Sequence, residues 1–419
     1  MDAADRIRRL EAALPLSGLH AGTSFRLTPQ AIALPPSALR QLDGLGRRLL
    51  QFQKTCDLLY RQSVRGRAPS WIADWLDAGK PADLVAFARS RPLQGRLPHV
   101  IRPDLLLTES GWVLAEIDSI PGGIGLTAWL QENFSAMGEP VIGGPSGMRR
   151  AFQHLLPKGP VVLAEEAEPY RPEWEWLVGS ARIVRVEAVS DWSQPTYRFF
   201  EAFEWESIPS LRNDLDPAHP LTPPLKPFLE EKLWLALFWM PSLREFWRRE
   251  LGDRYFRDLR QIIPQSWVVE PSSLPPTAVL PGLEVNSWQE VGRFSRKERN
   301  LVLKISGYSP LAWGSRSVIV GSDVGNEEWA KAIDHALQEF PRQPWIVQRF
   351  HKAASFHHPY WDPGKKSLVS MEGRARVCPY YFVEGSHVHL AGALVTFCPE
   401  DKKLLHGMAD AILAPARGA

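Results

Sequence analysis

Cysteine is scarce. The chain has three in 419 residues, Cys56, Cys378 and Cys398. That is too few and too scattered for a disulfide framework and suits a reducing cytosol. No CxxC or HExxH spacing is present, so the histidines at 351, 357, 358, 387 and 389 make no zinc signature. Long apolar runs are missing too. The longest, "LWLALFWM" (233–240), is far short of a membrane span. The first residues, "MDAADRIRRLEAALPLSGLH", start a charged amphipathic helix without the apolar core of a signal peptide, so a cytoplasmic protein is expected. Nor is there an excess of one charge. Lys plus Arg is 49 against 47 Asp plus Glu, a net of +2, which gives no reason to expect nucleic acid or an anionic membrane as partner. GxGxxG and GxxxxGK[ST] are both absent.

What is present is a globular composition, 44% apolar and 23% charged, with 17 Trp and 37 Pro. These numbers suggest aromatic cores joined by rigid loops. The length implies two or three packed units. Residues 1–96 read mainly as helix, with apolar residues spaced by three and four over 38–64 and a shorter helix over 69–79. Residues 97–118 switch to strand. Residues 141–215 alternate as a small Rossmann-like α/β unit: strand 159–166, helix 172–179, strand 181–189, then a helix or mixed segment at 195–205. The Pro-rich link 216–227 precedes a helix over 228–251, and a second loop covers 270–285. The last part is mixed, with strands at 301–307, 317–321, 344–350, 376–383 and 387–397 and a helix over 326–340. "FHHPYWDPGKK" reads as an exposed loop, and "HGMADA" (406–411) as a helix cap or a closing segment of the site.

The stretch "RPDLLLTESGWVLAEIDSIPGGIG" (102–125) places two acids and an Arg-x-Asp among buried-strand residues. A three-residue loop of Glu109, Ser110 and Gly111 gives Gly the positive φ it tolerates. Thr108 then faces Trp112, Asp104 faces Glu116 and Arg102 faces Asp118. Side chains alternate along strands, so these four share one face, and Leu105, Leu107, Val113 and Ala115 take the other. Three carboxylates together repel unless cations neutralise them. Arg102 offsets one, and a hard ion such as Mg²⁺ would offset the rest. A solvated hairpin face with an ordinary Arg–Asp pair is the alternative, and a two-residue turn would break the cluster.

"LVLKISGYSPLAWGSRSVIVG" sets Lys304 at a strand end before a loop with Gly307, Gly314 and Ser315, one way to hold phosphates. "PWIVQRFH" ends a strand with Gln348 and Arg349 and could present backbone groups to an adenine edge. Lys232 lies on an apolar helix, where it either snorkels or reaches a phosphate. Arg376 starts a strand and is a candidate for phosphate or a substrate carboxylate. Each residue also has a plain structural reading.

The order of these segments resembles the circularly permuted ATP-grasp family, most of all the synthetase domain of glutathionylspermidine synthase, over about residues 97–415. Arg102, Asp104, Glu116 and Asp118 keep the spacing of its Arg-x-Asp, an acid twelve residues after the Asp and a polar metal ligand two further on. Lys232, Lys304, "GSRSV", "WIVQRF" and "RVCPYYFV…HLAGALVTF" follow in the same order. The resemblance implies an α+β fold, a permuted ATP-grasp with a Rossmann-like unit beside it and an N-terminal helical segment. It implies divisions at 1–96, 97–140, 141–215 and 216–419. It also implies an ATP- and Mg²⁺-dependent ligase joining a small-molecule carboxylate to an amine through an acyl phosphate. Asp104, Glu116 and Asp118 would hold the metal, and Arg102 would stabilise the transferring phosphoryl group. Lys232 and Lys304 would hold phosphates, with residues 314–316, including Arg316, as a lid. Val347, Gln348, Arg349 and Phe350 would hold adenine. Asp118 stands where that synthase has Asn, and the Gly loop is poorer. These departures leave the substrates open and keep a non-catalytic nucleotide-binding relative as the alternative.

Overall fold

The structure is a computed structural model that describes residues 1–14, 25–118, 120–272, 278–312, 316–405 and 410–418. Two compact units emerge. The first comprises Met1–Gln51, Arg96–Leu225 and Lys352–Ala419, and the second Phe52–Gly95 and Lys226–His351. Their boundary falls inside the helix Pro36–Val64. The chain is thus mixed α+β, as expected.

In the first unit a seven-stranded sheet runs in the order Ile32–Leu34, Ile412–Gly418, His387–Pro399, Ser367–Glu384, Val100–Thr108 and Gly111–Asp118, with Ser355–Asp362 paired on the outer half of Ser367–Glu384. Among the strands described in this sheet, Ile32–Leu34 pairs parallel and the others antiparallel. The α/β alternation of 141–215 supplies three strands of a separate four-stranded parallel sheet, ordered Ile183–Arg185, Val161–Leu163, Thr196–Phe199, Leu221–Thr222, the last from the Pro-rich link. Parallel strands are covered on both faces, which explains the unbroken run Val161–Leu163. The ambiguous segment 195–205 resolves into the fully buried strand Thr196–Phe199 followed by a 3₁₀ turn, Ala202–Trp205.

The second unit holds a four-stranded antiparallel sheet ordered Ile319–Val320, Leu301–Ile305, Trp345–Arg349, Ser266–Val269. One face packs Trp267, Leu303, Trp345 and Val347 against Trp329 and Ile333 of the helix Asn326–Glu339. Among the described residues no helix is long and apolar enough to cross a membrane.

Three expectations change. The helix read over 228–251 is broken: a short helix Leu233–Leu237 is followed by a 3₁₀ turn at Pro241 and then by Arg244–Ile262, kinked at Gly252 (φ 73°). Pro241 lacks the N–H that would continue the first helix. The histidine-rich "loop" is largely the strand Ser355–Asp362, and His358 is buried against Thr28 Oγ1 at 3.0 Å. The terminal strand Ile412–Gly418 and the strand Ser266–Val269 were not anticipated. Each is short, and periodicity over so few residues carries little signal. Residues 406–409 of the "HGMADA" segment lie outside the described residues.

Candidate functional site

The hairpin closes differently from the expectation and still delivers the expected pairs. Thr108 pairs with Gly111 and Leu107 with Trp112, so the loop has two residues, Glu109 and Ser110, with Gly111 at φ 117°. A bulge between Asp104 and Leu105 then shifts the register, and Asp104 meets Glu116 while Arg102 meets Asp118. The extra residue of the bulge cancels the residue missing from the turn. Val113, paired with Leu106, therefore joins the Asp104 face, while Leu114 takes the place expected for Ala115 opposite Leu105 and Trp112 that expected for Val113 opposite Leu107.

The adjacent strand Ser367–Glu384 completes this face. Its register sets Arg376 opposite Leu106 and Tyr381 opposite Ile101, so Arg376, Cys378 and Tyr380 share the side of Asp104 and Arg102. Asp104, 3% exposed in its side chain, takes Arg102 Nε at 3.1 Å and Cys378 Sγ at 3.4 Å on Oδ1, and Arg376 Nη1 at 3.0 Å on Oδ2. Arg102 Nη2 also meets Asp118 Oδ2 at 2.8 Å. Burial disfavours the Arg102 charge, yet Asp104 and Asp118 hold the guanidinium well above its usual range. The same opposition, with Asp104 the leading favourable neighbour, raises Arg376. Burial and then Asp104 push the Cys378 thiol up to about 12, so it is a neutral donor and no nucleophile at neutral pH.

Protein groups occupy the carboxylates that were expected to hold magnesium. All four oxygens of Asp104 and Asp118 are engaged, Asp118 Oδ1 by the Ile120 N–H at 2.9 Å. Glu116 has interactions of its own. Among the described residues no group of three or more His, Cys, Asp or Glu side chains is placed to hold a metal ion. A second guanidinium, Arg376, brings positive charge to the acids beside Arg102.

The turn after Asp118 is anchored. Gly122 O accepts from Arg102 Nη1 at 3.2 Å and from Tyr380 Oη at 2.7 Å, and Gly123 N donates to Glu173 Oε1 at 2.8 Å. Sequence reasoning missed Glu173 and Tyr380. Glu173 lies in "PEWEWLVG", where an acid in a helix's first turn is unremarkable. A buried Tyr in "VCPYYFV" carried no chemical pattern.

In the second unit, Lys304 Nζ donates to Gln348 Oε1 at 2.8 Å, and Gln348 Nε2 to Ser266 Oγ at 3.2 Å. Lys304 and Gln348 sit diagonally across the pairing Ile346–Lys304, Gln348–Val302, on the sheet face opposite the apolar core. Lys232 precedes the helix Leu233–Leu237, and its Nζ reaches Ala312 O at 3.3 Å. The other expected adenine residues are placed less favourably. Val347 is fully buried in the core cluster. Arg349 donates to Gly282 O and lies 5.6 Å from the Trp267 ring. The Arg349 and Phe350 N–H groups are used by Gln265 O and Asn300 O. Arg316 is exposed; Gly314 and Ser315 lie outside the described residues.

Comparison with known proteins adds the fold. Neither a protein-family model nor a curated protein matches the sequence. A glutathione synthetase-like effector from Globodera pallida, solved in its apo form, superposes with a TM-score of 0.52 at 11% identity, covering 100% of this chain and 98% of that one. A candidate gamma-glutamylcysteine synthetase from Methylobacillus flagellatus gives a TM-score of 0.38 at 10% identity, with 86% and 84% covered, too low to bear on the argument. The chain therefore has a fold similar, end to end, to that of a glutathione synthetase-like protein.

Proposed function

We propose that the protein is an ATP-dependent carboxylate–amine ligase of the ATP-grasp kind, acting on a peptide-like or amino-acid substrate. The observation that carries this reading is the pair of guanidinium groups, Arg102 and Arg376, held by one buried carboxylate, Asp104. Such preorganised cations suit a phosphoryl group in transfer. A substrate carboxylate oxygen attacks the γ-phosphorus, the bond to the β–γ bridging oxygen breaks, and ADP leaves. An amine then adds to the acyl carbon and phosphate departs, the amine losing its proton. Arg102 and Arg376 stabilise the transferring phosphoryl oxygens. No step is assigned to a metal held by Asp104, Glu116 and Asp118.

A second reading, nucleotide binding without turnover, is favoured by the engagement of Asp104 and Asp118 with protein groups. Both are tested by thermal shift with Mg·ATP followed by ADP release across pooled carboxylates and amines. Amine-dependent ADP release that disappears in Arg102→Ala supports the ligase. A thermal shift without release selects the second reading, and no shift with any nucleotide overturns both.

A further inference from the structure

Glu173, 3% exposed, belongs to the helix Arg171–Val178. Its Oε1 accepts from Gly123 N at 2.8 Å and its Oε2 from Leu126 N at 3.1 Å. Gly123 (φ 80°) opens the helix Ile124–Ala136 and has no side chain with which to cap it, so Glu173 satisfies those orphan donors from outside. The Gly123 N–H and the Gly122 carbonyl are two ends of one peptide unit, and that carbonyl is the acceptor shared by Arg102 Nη1 and Tyr380 Oη. A peptide unit is planar and stiff, so fixing its N–H fixes its C=O. A carboxylate at the N–H end also polarises the carbonyl and strengthens it as an acceptor. Close contact holds the plane in place. A Cβ on Gly125 would lie 2.2 Å from Glu173 O, and one on Gly122 2.4 Å from the Tyr170 ring.

We propose that Glu173 is a positioning residue for Arg102, acting through the Gly122–Gly123 peptide plane. Any part in catalysis rests on the ligase reading; the relay itself does not. The charged and titratable groups that Glu173 faces are Arg102 on the hairpin, Tyr170 before its own helix, Tyr197 on the parallel sheet and Tyr380 on the long strand.

The test uses full-length protein with ¹⁵N-labelled arginine, with the Arg102 side-chain signal assigned by its loss in Arg102→Lys. Glu173→Gln keeps the volume but can accept only one of the two N–H groups. The Arg102 signal is expected to shift, and its exchange with water to accelerate about tenfold, the effect of weakening one charge-assisted hydrogen bond. Arg26, which stacks on Tyr360, should stay unchanged as the internal control. An unchanged Arg102 in folded Glu173→Gln overturns the proposal, and so does an equal change at Arg26. Should that variant not fold, the wild type decides. The Glu173 carboxyl carbon and the Arg102 signal titrating with one midpoint support the relay, and separate midpoints or no Arg102 response overturn it. Neither readout needs nucleotide, so failure of the ligase assay and failure of the relay are distinguishable.

Discussion

Arg376 donates to Asp104 Oδ2 across 3.0 Å, although 272 residues of chain separate them. Asp104 thereby sits between two guanidinium groups in a setting where its side chain is 3% exposed and theirs 14% and 21%.

Asp104→Ala leaves Arg102 and Arg376 facing each other without their shared counter-charge. A loss of about 3–5 kcal/mol in unfolding free energy is expected, the range for removing one partner of a buried pair. Urea denaturation of Asp104→Ala, Arg376→Ala and the double variant checks it. The double variant should lose less than the sum of the single losses, because the two side chains interact directly.

Burial pushes Glu173 and Glu204 from 4.5 up to about 7. A raised carboxyl pKa means that the folded state holds the proton longer than the unfolded state. The stabilisation is complete below about pH 4.5 and is lost as pH rises towards 7, on the order of 3 kcal/mol per group. Glu173→Gln should remove about half of this decline in a melting series from pH 4.5 to 7.5. An undiminished decline would exclude Glu173 as a contributor.

His358 works with the opposite sign. Burial, chiefly, lowers it from 6.5 to about 4. The neutral ring stabilises the fold above pH 6.5, and that contribution, roughly 3 kcal/mol, is lost as pH falls towards 4. His358→Gln should melt with less acid sensitivity than wild type between those values. It keeps an amide in reach of Thr28 Oγ1.

Gly125→Ala should destabilise more than Gly138→Ala. At Gly125 the new Cβ meets the Glu173 backbone at 2.2 Å, which cannot rotate away. Overpacking of this kind costs about 1–3 kcal/mol or more. At Gly138 (φ 88°) nothing lies within 4 Å, so only the left-handed conformation is penalised, by about 1–2 kcal/mol. Paired thermal melts read the difference.

The hairpin shows how far local pattern carries. Alternation and a three-residue loop ending at Gly111 named the pairs that are observed, Asp104 with Glu116 and Arg102 with Asp118, although the loop itself has two residues. The turn length and the bulge were not legible, because two opposite one-residue offsets leave the same pairs facing. In the second unit, the burial of Lys304 and Gln348 on one sheet face follows from strand period. The engagement of Arg349 with Gly282 and Trp267 does not.

By itself the sequence determined the helical and strand segments and the α/β alternation of 141–215, since these follow from periods of two or 3.6 read over neighbouring residues, whereas the α+β class came from the resemblance in segment order. Tertiary structure alone decided what neutralises the acids and what holds the turn beside them. Arg376, Tyr380 and Glu173 reach Asp104, Gly122 and Gly123 from strands and helices remote in the chain. Coulomb attraction and hydrogen bonding act over a few ångströms of space, and no spacing along the sequence encodes which distant side chain arrives there.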